Sequence, residues 1–192
     1  MAPEQRRDMR ADILDAAREL FGSKGYTVTS IADLADALGV TKGALYYHFK
    51  SKEAILDALV KEPAADLTLI AQDAAGRAPR ELLGALIDLQ ARYPAAYMAL
   101  QSGDASVLQE YSQRHDFAGK TEQITLAVAG PSASAGRVIR ARMAVAAAKE
   151  GTMAALMLGN GSLPDDVRLE VLDAATAVLD AGERSPQQGL RD

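Results

Sequence analysis

A chain of 192 residues with 48% hydrophobic content and a formal charge of −5 is long enough to bury a sizeable core, as one domain or as a small domain joined to a larger one. It contains no cysteine, which excludes disulfides, thiolate metal sites and cysteine nucleophiles and agrees with a reducing, cytoplasmic setting. The acidic balance argues against general affinity for nucleic acid, but a docking surface responds to its local field rather than to net charge.

The first fourteen residues, MAPEQRRDMRADIL, carry charges every few positions, and no later segment reaches twenty apolar residues. Neither a signal peptide nor a membrane span is expected. Along residues 11–21, Ile13, Leu14, Ala17, Leu20 and Phe21 recur with the period of one helical face, and Gly22 and Gly25 are placed to stop that helix. Ser30 followed three residues later by Asp33 has the spacing of a capping box, and Ile31, Leu34, Ala35 and Leu38 form the apolar stripe of a short second helix ended by Gly39. Thr41 can cap a third helix reaching Phe49, and Ser51 a fourth whose Ile55, Leu56 and Leu59 face inward. Pro63 is expected to end that fourth helix at Glu62.

Residues 30–49 thus have the spacing of a helix-turn-helix. With a rotation of about 100° per residue, Leu45 and Phe49 point to the core, whereas Gly43, Tyr46, Tyr47 and Lys50 share the opposite half. That half is aromatic and basic. Over residues 1–62 the charges nearly balance, nine Lys or Arg against ten Asp or Glu, yet residues 41–52 hold three lysines and no acid. Lysines neutralise phosphate, tyrosine hydroxyls reach phosphate or base edges, and a glycine admits a close backbone approach. Such a helix suits the major groove of DNA. Thr29, Ser30 and Thr41 stand at helix N-termini, where hydroxyls and free amides bind anions. His48 lies on the flank of the buried face and is equally suited to a helix-end or a phosphate role.

The run GYTVTSIADLADALGVTKGALYYHFKSKEAIL resembles the N-terminal DNA-binding domain of the TetR family of bacterial transcriptional regulators, over about residues 8–60. The resemblance implies DNA contacts at Thr41, Lys42, Gly43, Tyr46, Tyr47 and His48. It also implies phosphate contacts at Thr29, Ser30 and Lys52. It implies an all-α fold of about nine helices, with a three-helix DNA-binding domain over residues 1–50, a connecting helix over 51–62, a ligand-binding and dimerisation domain over 63–182, and a flexible tail over 183–192. The functional expectation is a homodimeric repressor released from a near-palindromic operator by a small-molecule effector.

Beyond residue 63, helical periodicity covers residues 64–75, 80–92, 95–101, 107–128, 135–158 and 164–181, with GPSASAG and GNGSLPDD as loops. The stretch MAVAAAKEGTMAALML, residues 143–158, is rich in small and apolar residues, and Val167, Leu169, Val171, Leu172, Ala175, Val178 and Leu179 widen the apolar surface of the last helix. Both features fit pairing of these two helices with a second copy; packing inside one chain would use them equally well. Tyr93, Tyr97, Gln101, Tyr111 and His115 gather aromatic and polar groups, and Met143 and Met153 offer adaptable apolar lining. They are the candidate effector residues, with residues 93–117 expected to face residues 140–157. With two histidines, His48 and His115, far apart in sequence, no metal site is expected, and no cofactor either. No nucleophile–base pairing or phosphate loop stands out, so an enzyme is not expected. A DNA-binding regulator without an effector and a helical protein-interaction module remain as alternatives.

Overall fold

The computed structural model describes residues 8–103 and 105–181. Among them are ten α-helices and one 3₁₀ turn, with no strand. The helices are α1 (Met9–Lys24), α2 (Ile31–Leu38), α3 (Lys42–His48), α4 (Lys52–Gln72), α5 (Pro79–Arg92), α6 (Pro94–Gln101), α7 (Ala105–Arg114), α8 (Phe117–Ala129), α9 (Ala135–Leu158) and α10 (Asp165–Asp180), and the 3₁₀ turn is Ala74–Gly76. The expected tail, residues 183–192, lies outside the described residues.

Two boundaries differ from the sequence reading. The fourth helix does not stop at Glu62 but runs through Pro63 to Gln72. A proline inside a helix removes one backbone hydrogen bond and crowds the carbonyl four residues back, here Leu59, at a cost of about 3 kcal/mol. Pro63 is itself buried, and Ala64, Leu67 and Ala71 beyond it are at most 5% exposed. Burying that continued apolar stripe offsets the lost bond. Conversely, residues 107–128 are not one helix. Asp116 adopts a left-handed φ of 49°, which a helix cannot accommodate, and α7 and α8 stand on either side of it. One expected break is absent and one unexpected break is present.

The chain forms two compact units. One contains the described residues up to Ala65 together with Tyr93–Asp116; the other contains Asp66–Arg92 and the residues from Phe117 onward. In the first unit, Ile13, Ala17 and Phe21 form the buried stripe of α1, which packs on α2 and α3, and Leu34, Leu45, Ile55 and Leu56 are likewise fully buried. Phe21 and Tyr26 pack edge to face with ring centroids 5.1 Å apart. Helix α6 lies against α1, where a side chain at Gly22 would touch Ala95 at 3.9 Å.

In the second unit α5 is the central helix, with Leu82, Leu83, Leu86, Ile87 and Leu89 buried against α8, α9 and α10. Helices α9 and α10 pair along their lengths. Their approach is close at Gly151, where a Cβ would sit 3.1 Å from Val171 Cγ1. Among the described residues no helix is long and apolar enough to cross a membrane.

Candidate nucleic-acid interface

Each local device that places α3 is visible in the sequence and present in the structure. Ser30 and Asp33 form the full capping box: the Asp33 amide donates to Ser30 Oγ at 3.2 Å, and the Ser30 amide donates to Asp33 Oδ2 at 2.7 Å. The Ser30 hydroxyl also donates to that carboxylate, and this contact, followed by the backbone one, holds the Asp33 carboxyl below its ordinary pKa. Gly39 closes α2 with a left-handed φ of 64°, a conformation that costs glycine nothing. Thr41 then opens α3, its Oγ1 accepting the Ala44 amide at 3.2 Å.

The orientation of α3 follows the helical wheel. Leu45 and Phe49 are buried, whereas Thr41, Lys42, Gly43, Tyr46 and Lys50 are exposed, and Tyr47 reaches 80% exposure. His48 is half-buried and packs edge-on to Tyr47 with centroids 5.2 Å apart, so it steadies the more exposed ring. Arg10 of α1 lies over the Phe49 ring at 4.7 Å and covers the buried end of α3.

Three residues expected at phosphates have their polar groups engaged within the unit. Thr29 is 1% exposed and its hydroxyl donates to the Gly25 carbonyl at 2.8 Å. The hydroxyl proton of Ser30 is committed to Asp33. The Lys52 ammonium donates to the carbonyls of Tyr26 at 2.9 Å and Thr29 at 3.0 Å, with Thr27 at 3.4 Å, and stands 4.2 Å from the centre of the Tyr26 ring. Lys52 therefore clamps the turn that leads into α2.

That turn has a second brace which the sequence did not suggest. The Tyr26 amide donates to Ser102 Oγ at 2.8 Å, and the Thr27 hydroxyl donates to the Ser102 carbonyl at 2.9 Å. Gly25, at a φ of 89°, would bring a Cβ to 3.2 Å from Ser102. Ser102 caps α6, far along the chain, and no local pattern marks it.

The candidate effector residues are divided between the two units. Tyr111 is buried in the first unit, its hydroxyl donating to the Glu53 carbonyl at 2.6 Å. His115 stacks on it, and its Nε2 lies 3.5 Å from Asp57 Oδ1. Burial, then the Asp57 carboxylate, pushes the Tyr111 phenol up to about 12. Burial and Glu53 likewise push the Tyr26 phenol upward. Tyr93, Tyr97 and Gln101 also belong to the first unit, with Gln101 exposed. Met143 and Met153 belong to the second: Met153 is buried, Met143 is 55% exposed.

A tight helix-turn-helix here turns an aromatic, basic, acid-free face to solvent, the chemistry that suits a DNA groove. Residues 13–59 match the model of the bacterial regulatory proteins, tetR family. The HTH-type transcriptional repressor KstR2 of Rhodococcus jostii (strain RHA1) is 41% identical over 58 residues, 30% of this chain and 28% of that protein. The HTH-type transcriptional regulator TtgR of Pseudomonas putida is 40% identical over 57 residues, 30% of this chain and 27% of that protein. The matched segment thus spans little more than a quarter of either relative. The fold extends further: the ketosteroid transcriptional regulator KstR2 of Mycobacterium tuberculosis superposes with a TM-score of 0.69 at 18% identity, over 92% of this chain and 96% of that one. Mycobacterium smegmatis AmtR does so with a TM-score of 0.65 at 23% identity, over 92% and 87%. Residues 13–59 thus resemble the N-terminal segment of that family, and the described helices share the fold of these solved regulators. These relatives are named as transcriptional regulators, not as enzymes.

Proposed function

We propose that the protein is a cytoplasmic DNA-binding transcriptional regulator that acts as a homodimeric repressor and leaves a near-palindromic operator when a small-molecule effector binds. The observation that carries the reading is the exposed face of α3, where Lys42, Gly43, Tyr46, Tyr47 and Lys50 stand together without an acid. On such a face the lysines meet phosphates while the tyrosines meet sugars, base edges and thymine methyl groups.

Dimerisation is supported by the outer faces of α9 and α10. Ile139, Met143, Met157 and Leu158 on α9 and Leu169 on α10 are each at least half exposed, an apolar surface that a second copy would cover. A two-fold dimer would carry two copies of α3 about 34–36 Å apart, one turn of the duplex. Effector and DNA would then compete through one shared conformational equilibrium, and each would weaken the other by the same factor.

Selection from a random duplex pool tests the reading, followed by titration of the winning sequence at several salt concentrations. The expected result is a near-palindromic winner with a steep salt dependence, bound at least about 100-fold more weakly by the Tyr46→Ala, Tyr47→Ala double variant. Failure of ligand-free, refolded protein to enrich any sequence would favour the interaction-module alternative.

A further inference from the structure

The second unit contains a cleft of about 770 Å³, a size in the range of small-molecule sites, roughly 300–1,000 Å³. None of the candidate effector residues lines it. Its floor is apolar, made by Leu69 and Ile70 from the end of α4, Leu89 of α5 and Leu172 of α10. Gly84 of α5 belongs to the same lining, and a Cβ there would sit in ordinary contact with Arg168 and Leu172, at 3.5–4.0 Å. Four arginines, Arg77, Arg80, Arg92 and Arg168, stand around the floor.

Three of these charges are already balanced. Arg168 binds Asp88 through two nitrogens, Arg92 reaches Asp66 at 3.1 Å, and Arg80 pairs with Asp173 and donates to the Thr176 hydroxyl at 3.1 Å. The Asp88 contact holds the Arg168 guanidinium above its ordinary pKa. The fourth is different. Among the described residues the half-buried Arg77 guanidinium makes no hydrogen bond or ion pair. The remaining acid of the cleft, Glu81, accepts the Ala78 amide at 3.4 Å in the first turn of α5, where the positive end of the helix offsets its charge. Asp73 faces a smaller neighbouring hollow of about 420 Å³ that shares Leu69, Ile70 and Arg77, and it forms no ion pair with Arg77 among the described residues.

An apolar floor with one uncompensated guanidinium at its edge selects a molecule with an apolar body and one negative charge. A dianionic phosphate would leave charge unmatched, whereas a carboxylate meets the flat guanidinium with two parallel hydrogen bonds. We propose that this cleft binds an amphipathic monocarboxylate, its carboxylate on Arg77 and its chain or ring system over Leu69, Ile70, Leu89 and Leu172. The proposal is independent of the regulatory reading, because it concerns binding alone.

Calorimetric titration of the full-length protein with dodecanoate, kept below its micelle concentration, is the direct test. The expected result is saturable binding that weakens at least about tenfold in Arg77→Gln, is partly kept in Arg77→Lys, and is absent for dodecyltrimethylammonium. Leu69→Asp provides a second variant: Leu69 is 62% exposed, so the fold tolerates the change while an acid on the floor repels the ligand. Two results would overturn the proposal: no saturable binding, or binding indifferent to both Arg77→Gln and Leu69→Asp.

Discussion

Lys52 illustrates how one side chain can support DNA binding in two physically different ways. A lysine that neutralises a phosphate releases counterions, so its removal lowers the salt slope of binding by about one. A lysine that holds the Tyr26 and Thr29 carbonyls instead keeps the start of α2 in place. From its contacts, Lys52→Met is expected to weaken operator binding and lower the melting temperature while leaving the salt slope unchanged. A slope reduced by one unit would assign Lys52 to phosphate after all. Tyr111 gives a second prediction at this scale. Its phenol is raised from 10.0 to about 12 in the folded chain, so the neutral form is favoured by folding. That contribution is complete below pH 10 and is lost as the pH rises through about 12. Tyr111→Phe is expected to cost about 1 kcal/mol at neutral pH through the lost bond to Glu53, and to flatten the fall in stability on the alkaline side. Denaturant titrations at several pH values would record both.

At the scale of single helices, α4 carries the clearest prediction. Pro63 lies inside it and leaves the Leu59 carbonyl without its usual helical partner. Pro63→Ala restores that bond but removes some buried volume, and the expected balance is a gain of about 1 kcal/mol and a melting temperature a few degrees higher. The same helix marks a limit of what was legible in the sequence. Periodicity and caps are local, so α1, α2 and α3, the capping box at Ser30 and the exposed face of Tyr46 and Tyr47 could be read directly. Whether a helix survives a proline depends on what the residues beyond it bury, and that is settled by other parts of the chain. The left-handed Asp116 that separates α7 from α8 gave no glycine signal at all. Ser102 was illegible for a related reason: it meets Tyr26, 76 residues away, and no window of sequence contains both.

For the molecule as a whole, the exposed apolar positions of α9 and α10 are where the proposed dimer is put to the test. Ile139→Asp combined with Met143→Asp is expected to convert a dimer into single chains by light scattering, with helical content retained because both positions are exposed. Operator affinity should fall with it, since each copy would then hold one half-site alone. The division of the chain into units has another consequence, which concerns synthesis. The unit that contains α1–α3 also needs Tyr93–Asp116, and the intervening stretch Asp66–Arg92 is made first. With translation at about 5–20 residues per second, the nascent α1–α3 segment waits several seconds without the Ser102 brace or the Tyr111 hydroxyl. The N-terminal helices are therefore not a detachable cassette: a fragment cut after residue 65 would carry every side chain proposed to face DNA and still lack part of its own core.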